Sequence, residues 1–476
     1  MATQEGATSG RRDEFPAALK GKRILLATES LGPVNGVSRT TGMLIEYLRA
    51  NGVDLAVVAP RYEVKDQSQS KPTAPSHSRS GSEVRLHGYP LPYNPDLTVV
   101  YPFRFDRVCN RTFQPDIVYL ASPASVGYQF LWQIRQLQKP PVVLLNYQTD
   151  LAAYSSILLP GAMGRFGTWL VNRVQGFLFN HPSVETIFYP CSDVRSYLEE
   201  AGAPSNRLVQ LGRGVDTVAF NPRHRDEAYR RRLAPNGEII LAYTCRLAPE
   251  KGNPAVEADV RNLFEPVRDR VIFTGFLGGE NLARAYAAAD LFLHCSITET
   301  FGLVVLESMA SGVPVIARNQ GGPSDIVKHG KTGYLVAPDD LGEFVRLTLE
   351  VSRDSDLRQN LAVNARAFAD ETTWEKINRR VAWHILDGLD NHSRRIEMKR
   401  AQRPIRNWIS TQYSEFETHF WWPLIEQLRV NAAIAFVFFM WMIAVIPLIL
   451  HGSRMFHFVQ TIPLMFQQAQ SNRLLR

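Results

Sequence analysis

A strand, a glycine-bearing loop, a helix and a second strand follow one another at the start of the chain, and this order constrains the fold most. Ile24 to Ala27 are continuously apolar, as in strands that are buried on both faces of a sheet. The loop LGPVNGVSRT and a helical segment ending at Gly52, a residue that tolerates a left-handed conformation, lead to the strand VDLAVVAP. This β-α-β order predicts a parallel sheet and therefore an α/β protein.

The same alternation continues along the chain and begins again after a polar, proline-punctuated linker. Further strands are predicted at DIVYLAS, PVVLLNYQ, ETIFYPCS, RLVQLGRGVD, IILAYTCRL, VIFTGFL, LFLHCS, VPVIAR and GYLVAP. With 476 residues the chain is long enough for two such domains. We therefore predict two α/β domains in tandem, with a ligand-binding cleft at the carboxyl ends of their strands.

Composition sets the predicted boundaries. The predicted organisation is a disordered N-terminus (1–20), an N-terminal domain (21–222) with a mobile polar loop (63–82), a second domain (223–372), a closing helix (373–390), a basic linker (391–429), a transmembrane helix (430–450) and a tail (451–476). Val430 to Leu450 contains 21 residues without a charge, which is enough to cross a bilayer of about 30 Å. Seven Lys or Arg residues between 394 and 429, against three after the span, predict cytosolic domains on a single-pass membrane protein, for example of the endoplasmic reticulum.

Charge and cysteine content exclude some classes of protein. A net charge of +7 is mild, and no motif indicates a nucleic-acid partner. The four cysteines are scattered, without a CxxC spacing, which argues against a zinc site and a disulfide framework and favours a reducing compartment. No metal site and no cofactor are predicted.

The stretch TETFGLVVLES carries two carboxylates around an apolar run. LFLHCS is a predicted buried strand, so Glu299 lies in the loop at its carboxyl end, and Glu307 lies one to two turns into the helix that follows. The amides of Gly302, Leu303 and Val304 are then unpaired donors at a helix N-terminus, where an anion binds readily. A diphosphate on these amides, with a carboxylate near each end of the ligand, predicts a nucleotide-sugar site.

A second stretch, CRLAPEKG, supplies two cations. It leaves the carboxyl end of the predicted strand IILAYT, which places Arg246 and Lys251 at the same edge of the second sheet. Cations at that edge would neutralise a diphosphate and the charge that develops on it as it leaves.

Three stretches together resemble the family 4 (group 1) retaining glycosyltransferases: ITETFGLVVLESMASGVPVIARNQGGPSDIV, RLAPEKG and GRGVDTVAFNP. Within the family the sulfoquinovosyl-diacylglycerol synthase type is the nearest, and the phosphatidylinositol N-acetylglucosaminyltransferase type is a variant. The resemblance implies a GT-B fold of two Rossmann-like domains and a hexosyltransferase that needs no metal. It also implies retention of anomeric configuration in transfer from a UDP- or GDP-sugar to a lipid or membrane-associated acceptor.

The resemblance also implies roles for individual residues. Glu307 would bind the ribose hydroxyls, Glu299 the transferred sugar, and Arg246 with Lys251 the diphosphate. Further donor-binding residues implied in this way are Gly302, Leu303, Val304, Arg213 and Gly36, the last of which would let its loop approach the donor closely.

The stretch NYQTDLAAY departs from the family pattern. Gln148 stands where the family often has His, and an amide can hydrogen-bond a sugar hydroxyl but cannot accept a proton. We expect Gln148 to contact the donor, the alternative being an interior polar residue that is satisfied by backbone atoms. Asp150 is the candidate for contact with the acceptor hydroxyl.

The second domain looks short. Only 18 residues separate Gly252 from Val271, where the family has about thirty more, corresponding to one helix and one strand. The sheet would then lack a strand next to IILAYT and expose an apolar edge. The alternative to an active enzyme is therefore a catalytically dead protein, a scaffold or a misannotated splice form.

Three other interpretations stay open. Glu299 and Glu307 could serve a glycosidase, although a phosphate-binding helix favours a phosphorylated donor. His294 is expected to be a satisfied core histidine. The apolar segment from Ser156 to Phe179 is either a lipid-facing acceptor surface or a core helix.

Overall fold

The computed structural model describes residues 12–32, 36–61, 83–91, 94–148, 161–244, 261–296, 299, 301–401, 424–439 and 441–442. They form two compact units. The N-terminal unit comprises the chain up to Phe188, Tyr197–Val209 and the chain from Arg379 onward. The C-terminal unit comprises Tyr189–Ser196 and Gln210–Asn378. Each unit contains a sheet with helices, so the two α/β domains predicted from the alternation are present.

The N-terminal unit is built on a seven-stranded sheet with the order β3-β2-β1-β6-β7-β8-β9. Its strands are β1 (Arg23–Thr28), β2 (Asp54–Pro60), β3 (Glu83–Leu86), β6 (Ile117–Ala121), β7 (Val142–Asn146), β8 (Val184–Tyr189) and β9 (Leu208–Gln210), and a separate antiparallel pair joins β4 (Gly88–Leu91) to β5 (Asn94–Val100). Its helices are α1 (Gly36–Ala50), α2 (Phe105–Arg111), α3 (Ser125–Ile134), α4 (Gly161–Phe179) and α5 (Ser192–Glu200), the first residues of which lie in the other unit. The central strand β1 pairs in parallel with β2 and β6, and all its residues after Arg23 are buried. This burial explains the continuous apolar run in its sequence.

The C-terminal unit contains a parallel four-stranded sheet with the order β10-β11-β12-β13. Its strands are β10 (Leu241–Ala242), β11 (Leu291–His294), β12 (Val315–Arg318) and β13 (Gly333–Val336). Its helices are α6 (Glu227–Leu233), α7 (Gly279–Ala288), α8 (Leu303–Ala310), α9 (Gly322–Ile326), α10 (Leu341–Arg353), α11 (Ser355–Glu371) and the start of α12 (Trp374–Ala401). Short 3-10 turns occur at Ala17–Leu19, Ser205–Arg207, Pro222–His224 and Glu265–Arg270. Ala17–Leu19 lies in the stretch expected to be disordered, and Leu19 is buried.

The edge of this sheet at β10 differs from the prediction. IILAYTCRL was expected to give a full strand, but β10 has two residues and Leu241 is exposed. VIFTGFL was also predicted to be a strand, and residues 271–278 instead lack regular structure, with Ile272 and Phe276 exposed. A run of apolar residues forms a buried strand only when there is a neighbouring strand to pair with, and among the described residues β10 pairs with β11 alone.

A buried carboxylate holds β10 to the rest of the C-terminal unit. Asp290, which precedes β11, accepts the N–H of Ile240 (2.8 Å) and ion-pairs with Arg225 (2.9 Å) and Arg230 (3.0 Å). Burial raises the pKa of Asp290, but these hydrogen bonds outweigh it, so the pKa lies below the usual Asp value.

The segment Tyr189–Ser196 joins the C-terminal unit through carboxylates. Asp325 on α9 accepts the backbone N–H (2.7 Å) and hydroxyl (2.9 Å) of Ser192 and the side-chain amide of Gln210 (3.0 Å). Asp193 accepts the N–H of Gly321 at 2.9 Å. These bonds fix the turn that precedes α9.

The C-terminal part of the chain corrects the membrane prediction. Residues 424–439 form a helix that contacts the N-terminal unit. Glu426 accepts the backbone N–H of Gln138 (2.9 Å), and the ring of Phe436 stacks on Trp132 with 4.6 Å between centroids. One aromatic side chain of this helix therefore packs against protein, whereas Leu428 and Phe439 are exposed.

The membrane span predicted at Val430–Leu450 is not supported by its described residues, and residues 440 and 443–450 lie outside them. Across the described ranges, no helix is long and apolar enough to cross a bilayer. The predicted location, a single-pass membrane protein with cytosolic domains, depended on that span and is corrected as well. The closing helix predicted at 373–390 is longer, because α12 continues through the start of the predicted linker to Ala401.

Candidate active site

The loop between β11 and α8 carries the predicted anion site. Gly302, the residue before the first turn of α8, has φ 92° and ψ 53°, a left-handed conformation that glycine adopts without strain. Its carbonyl accepts the N–H of Val305 at 3.0 Å, the first bond of the helix. Leu303 and Val304 follow as the first helical residues and are half-buried. The helix N-terminus thus lies where the sequence places it.

Glu299 caps this helix N-terminus. One of its carboxylate oxygens accepts the N–H of Gly302 (2.9 Å) and the N–H of Phe301 (3.3 Å). A carboxylate is favourable here because the amides are unpaired and the helix dipole is positive at this end. One of the three amides predicted to bind a diphosphate therefore already has an anionic partner within the protein.

Two glycines that were not singled out from the sequence support this loop. The N–H of Gly322 donates to the carbonyl of Glu299 at 3.0 Å. A Cβ at Gly322 would lie 1.9 Å from the carbonyl oxygen of Phe301, and one at Gly321 would lie 2.2 Å from that of Glu299. The close approach requires glycine at both positions, and the pair is visible in the stretch NQGGPSDIV.

Glu307 is 5% exposed within α8. A carboxylate oxygen accepts the hydroxyl of Tyr286 on α7 at 3.2 Å. Glu307 is therefore a buried, hydrogen-bonded carboxylate and not a solvated surface residue. Tyr286 has no signal in the sequence, since the contact joins residues 21 positions apart.

His294, the last residue of β11, is buried but not satisfied as expected for a core histidine. Among the residues that the structure describes, its Nδ1 has no hydrogen-bond partner. Burial lowers the pKa of His294, and the negative charge of Glu299 acts in the opposite direction. The ring is therefore neutral near neutral pH.

Arg213 supplies a cation in the same unit. Its side chain is buried, and its guanidinium carbon lies 5.6 Å from the ring centroid of Phe301, in the Glu299 loop. A cation over an aromatic face is held by the ring quadrupole. The structure thus places Arg213 beside Phe301, in the loop that also carries Glu299 and Gly302.

In the N-terminal unit, Gln148 lies two residues beyond the end of β7. It is 5% exposed, and neither its amide nitrogen nor its amide oxygen has a partner within the described ranges. No described backbone atom satisfies the amide, and the role of Gln148 stays a prediction. A buried polar atom without a partner costs about 1–3 kcal/mol, and such atoms are typical of a site that receives a ligand.

Gly36 is the first residue of α1 and is exposed. Asp150, Arg246 and Lys251 lie outside the described residues, as does the Gly252 junction.

Helix α4 has one face buried in the core and another face at the surface, so it combines features of both interpretations of its sequence. Gln175, Leu178 and Phe179 are fully buried, whereas Trp169 is 52% exposed. Core packing therefore holds one side of the helix, and an aromatic side chain remains at the surface on another.

Comparison with known proteins places this geometry in a family. The Glycosyl transferase 4-like domain matches residues 35–214, and Glycosyl transferases group 1 matches residues 260–368. A GDP-mannose-dependent alpha-mannosyltransferase of Mycobacterium tuberculosis is 34% identical over 74% of this chain and 93% of that protein. The chain belongs to the group 1 glycosyltransferases. It is a family 4 hexosyltransferase by its relatives, as the three motif stretches predict.

Other relatives agree on the family and the fold. Sulfoquinovosyl transferase SQD2 of Arabidopsis thaliana is 28% identical over 75% of this chain and 71% of that protein. Sucrose-phosphate synthase of Thermosynechococcus elongatus aligns with a TM-score of 0.59 at 20% identity, covering 77% of this chain and 99% of that one. Anabaena Alr3699/HepE in complex with UDP aligns at 0.57 with 18% identity, covering 77% and 100%. The GT-B-like fold with parallel sheets is confirmed.

Proposed function

We propose that this group 1 glycosyltransferase transfers a sugar, with retention, from a nucleoside diphosphate-sugar to a lipid hydroxyl. The observation that carries the proposal is the pair of carboxylates around the N-terminus of α8. Glu299 lies on the helix amides and Glu307 is buried one turn further on, held by Tyr286. A diphosphate between them would have a hydroxyl-binding carboxylate on either side.

A diphosphate that binds all three predicted amides, including that of Gly302, would displace the carboxylate of Glu299. Two anions cannot share the amides of Phe301 and Gly302, so the donor would replace the carboxylate there. The released carboxylate would then hydrogen-bond the hydroxyls of the transferred sugar. Arg246 and Lys251 would stabilise the charge on the departing diphosphate, which is the main electrostatic demand of this reaction.

The donor is proposed to be GDP-mannose or a UDP-sugar. The mannosyltransferase relative favours the first, since it has the higher identity, whereas the SQD2 relative and the UDP complex of the Anabaena neighbour favour the second. In the N-terminal unit, Gln148 would contact the donor and Asp150 the acceptor hydroxyl. The amide of Gln148, which has no partner in the described part of the chain, supports the first of these roles.

A lipid acceptor is supported by the surface of α4. Trp169 and Phe177 are both about half exposed on this helix, so each offers aromatic surface that an acyl chain could contact. Acceptor assays with diacylglycerol, phosphatidylinositol and free sugars would separate a lipid from a soluble acceptor.

The test of the donor site is Glu307→Ala. We expect it to remove most nucleotide binding, because it deletes charge-assisted hydrogen bonds of about 1.5–3 kcal/mol in all. Calorimetric titration with GDP and UDP measures the loss. Glu343→Ala is the matched control, since Glu343 is an exposed carboxylate on α10 of the same unit, paired with Arg346. Unchanged nucleotide affinity in Glu307→Ala would contradict the ribose-binding role.

A catalytically inactive protein is the second candidate, and the β10 edge favours it. Leu241, Tyr243, Ile272 and Phe276 are exposed around that edge, and Phe276 reaches 85%. Exposed apolar residues beside a two-residue strand are consistent with a missing helix and strand.

The alignments also support a missing piece. The two family models leave residues 215–259 unmatched, which includes Gly252. The alignment with the Mycobacterium tuberculosis relative has 377 positions but covers 74% of 476 residues, about 352, so about 25 positions have no counterpart in this chain.

Sequencing of the transcript across the codons for Gly252 and Asn253 distinguishes the two candidates. About thirty additional codons would identify the chain as a shortened form of an active transferase. An uninterrupted junction, together with no measurable binding of GDP or UDP, would support the inactive protein.

A further inference from the structure

Glu29, directly after β1, is a half-buried carboxylate that the proposed chemistry does not use. One oxygen accepts the N–H groups of Ala124 (2.8 Å), Val126 (2.7 Å) and Gly127 (2.9 Å). The other accepts the hydroxyl of Ser125 at 2.9 Å. The side chain therefore satisfies the first turn of α3 from a different strand, 95 or more positions earlier in the chain.

The residues around Glu29 begin the loop that leads to Gly36. The hydroxyl of Thr28 donates to the carbonyl of Ser30 (3.1 Å), and the hydroxyl of Ser30 pairs with that of Ser38 on α1 (3.1 Å). The start of the loop and the helix after it are thus tied together. Glu29 then ties the start of the loop to α3.

The strands that end here are neighbours. β1, β6 and β7 are adjacent and parallel, so their carboxyl ends share one edge of the sheet. Ser122, directly after β6, has φ 56°, a strained conformation for a residue with a side chain, and its N–H donates to the carbonyl of Asn146 at 2.7 Å. Gln148, whose amide has no partner among the described residues, follows Asn146 by two residues on the β7 side of this edge.

We propose that Glu29 is a positioning residue: its carboxylate fixes the end of β1 to the first turn of α3, and so, through Ser30 and Ser38, sets the position of the start of α1 at Gly36. The inference rests on the proposed function, in which Gly36 contacts the donor. Glu29 itself touches neither substrate. It acts through the start of the loop and through α3.

The bonding pattern calls for a carboxylate rather than an amide. Four donors converge on Glu29, and an amide would aim its own N–H₂ group at one or more of them. Burial raises the pKa of Glu29, and its hydrogen bonds act in the opposite direction. Glu29→Gln keeps the shape and removes the charge, so it tests the carboxylate itself.

The experiment compares Glu29→Gln and Ser125→Ala with a matched helix-cap control. Asp354→Asn is that control, because Asp354 caps α11 in the C-terminal unit through the amides of Asp356 (3.0 Å) and Leu357 (2.9 Å). Hydrogen exchange of residues 30–32 and 36–41 is measured on the free proteins, and kcat and KM for GDP-mannose and UDP-glucose are measured in the transfer assay.

We expect at least tenfold faster exchange in residues 36–41 and at least tenfold lower kcat/KM for Glu29→Gln. Ser125→Ala should show a smaller change in the same direction, which keeps the test decisive if Glu29→Gln does not fold. Asp354→Asn should lower Tm without either effect.

If the hydrogen-exchange rates and kcat/KM of Glu29→Gln lie within twofold of the wild-type values, the proposal is overturned. A loss of activity in Asp354→Asn equal to that in Glu29→Gln at equal loss of Tm would overturn it as well. If the unchanged protein transfers no sugar, the proposed function fails, and the exchange data alone still decide whether Glu29 positions the loop.

Discussion

Removal of the Glu299 carboxylate should tighten the binding of free nucleoside diphosphates while it abolishes most transfer. In the free protein this carboxylate lies on the amides of Phe301 and Gly302, and a diphosphate would have to break those bonds. The bond to Gly302 is short at 2.9 Å, and that to Phe301 is long at 3.3 Å, so we count only the first. A hydrogen bond to a charged group contributes about 1.5–3 kcal/mol, and the lower value corresponds to about a tenfold change in affinity.

Titration calorimetry of Glu299→Ala with GDP and UDP, together with the rate of sugar transfer, tests this competition. We expect Kd for the nucleotide to fall about tenfold and kcat to fall by more than tenfold, because the sugar hydroxyls lose their partner. Glu343→Ala again serves as control for the simple loss of one negative charge in this unit. Weaker nucleotide binding in Glu299→Ala would refute the reasoning, since it would mean that the carboxylate supports the anion site and does not occupy it.

Two further substitutions test the packing of the Glu299 loop and the stability of the C-terminal unit. Gly322→Ala should lower the free energy of unfolding by about 1–3 kcal/mol and weaken GDP and UDP binding, because its Cβ would lie 1.9 Å from the carbonyl oxygen of Phe301. Gly342→Ala is the control: its Cβ would lie 3.5 Å from a side-chain oxygen, and it should leave nucleotide binding unchanged in the same calorimetric assay. Asp290→Asn should destabilise the C-terminal unit by about 3 kcal/mol in urea unfolding, because two arginines lose their buried partner. Since the folded pKa of Asp290 is depressed, its stabilisation is complete above the unfolded pKa of about 3.9 and is lost as the pH falls through the folded pKa, so the variant should show a weaker acid dependence than the unchanged protein.

The parts of the fold that were predictable are those in which burial fixes the residue type. β1, β2, β6 and β7 lie inside the first sheet, so both faces select apolar residues and the runs are continuous. The strands β3 to β5 were not predicted, because their polar and proline-containing sequences satisfy only a sheet edge or an isolated pair. Whether such a segment forms a strand depends on its position in the sheet, and a local sequence pattern does not contain that information.

The apolar stretches VIFTGFL and Val430–Leu450 were misjudged for a common reason. Hydrophobicity indicates that a segment is stabilised by an apolar environment, but it does not indicate whether that environment is a strand, a helix or a membrane. The first finds no neighbouring strand among the described residues, and the described start of the second packs Phe436 on Trp132.

The site was predictable as far as its residues are close in sequence. Glu299, Gly302 and Glu307 lie on one loop and helix, so their spacing fixes their relation. Tyr286, which holds Glu307, and the glycines that receive the Glu299 loop come from other elements. Their roles depend on tertiary contacts that no local spacing encodes.

The chain enters the C-terminal unit twice, at Tyr189 and again at Gln210, and returns to the N-terminal unit at Tyr197 and at Arg379. Neither unit is therefore a continuous piece of sequence. A chimera that exchanges donor specificity between homologues by one crossover near residue 214 would separate Asp325 from the matching Ser192, and the turn before α9 would lose its anchor. Recombination of these enzymes, in the laboratory or in evolution, should succeed only when the eight residues of Tyr189–Ser196 are inherited together with the rest of the C-terminal unit.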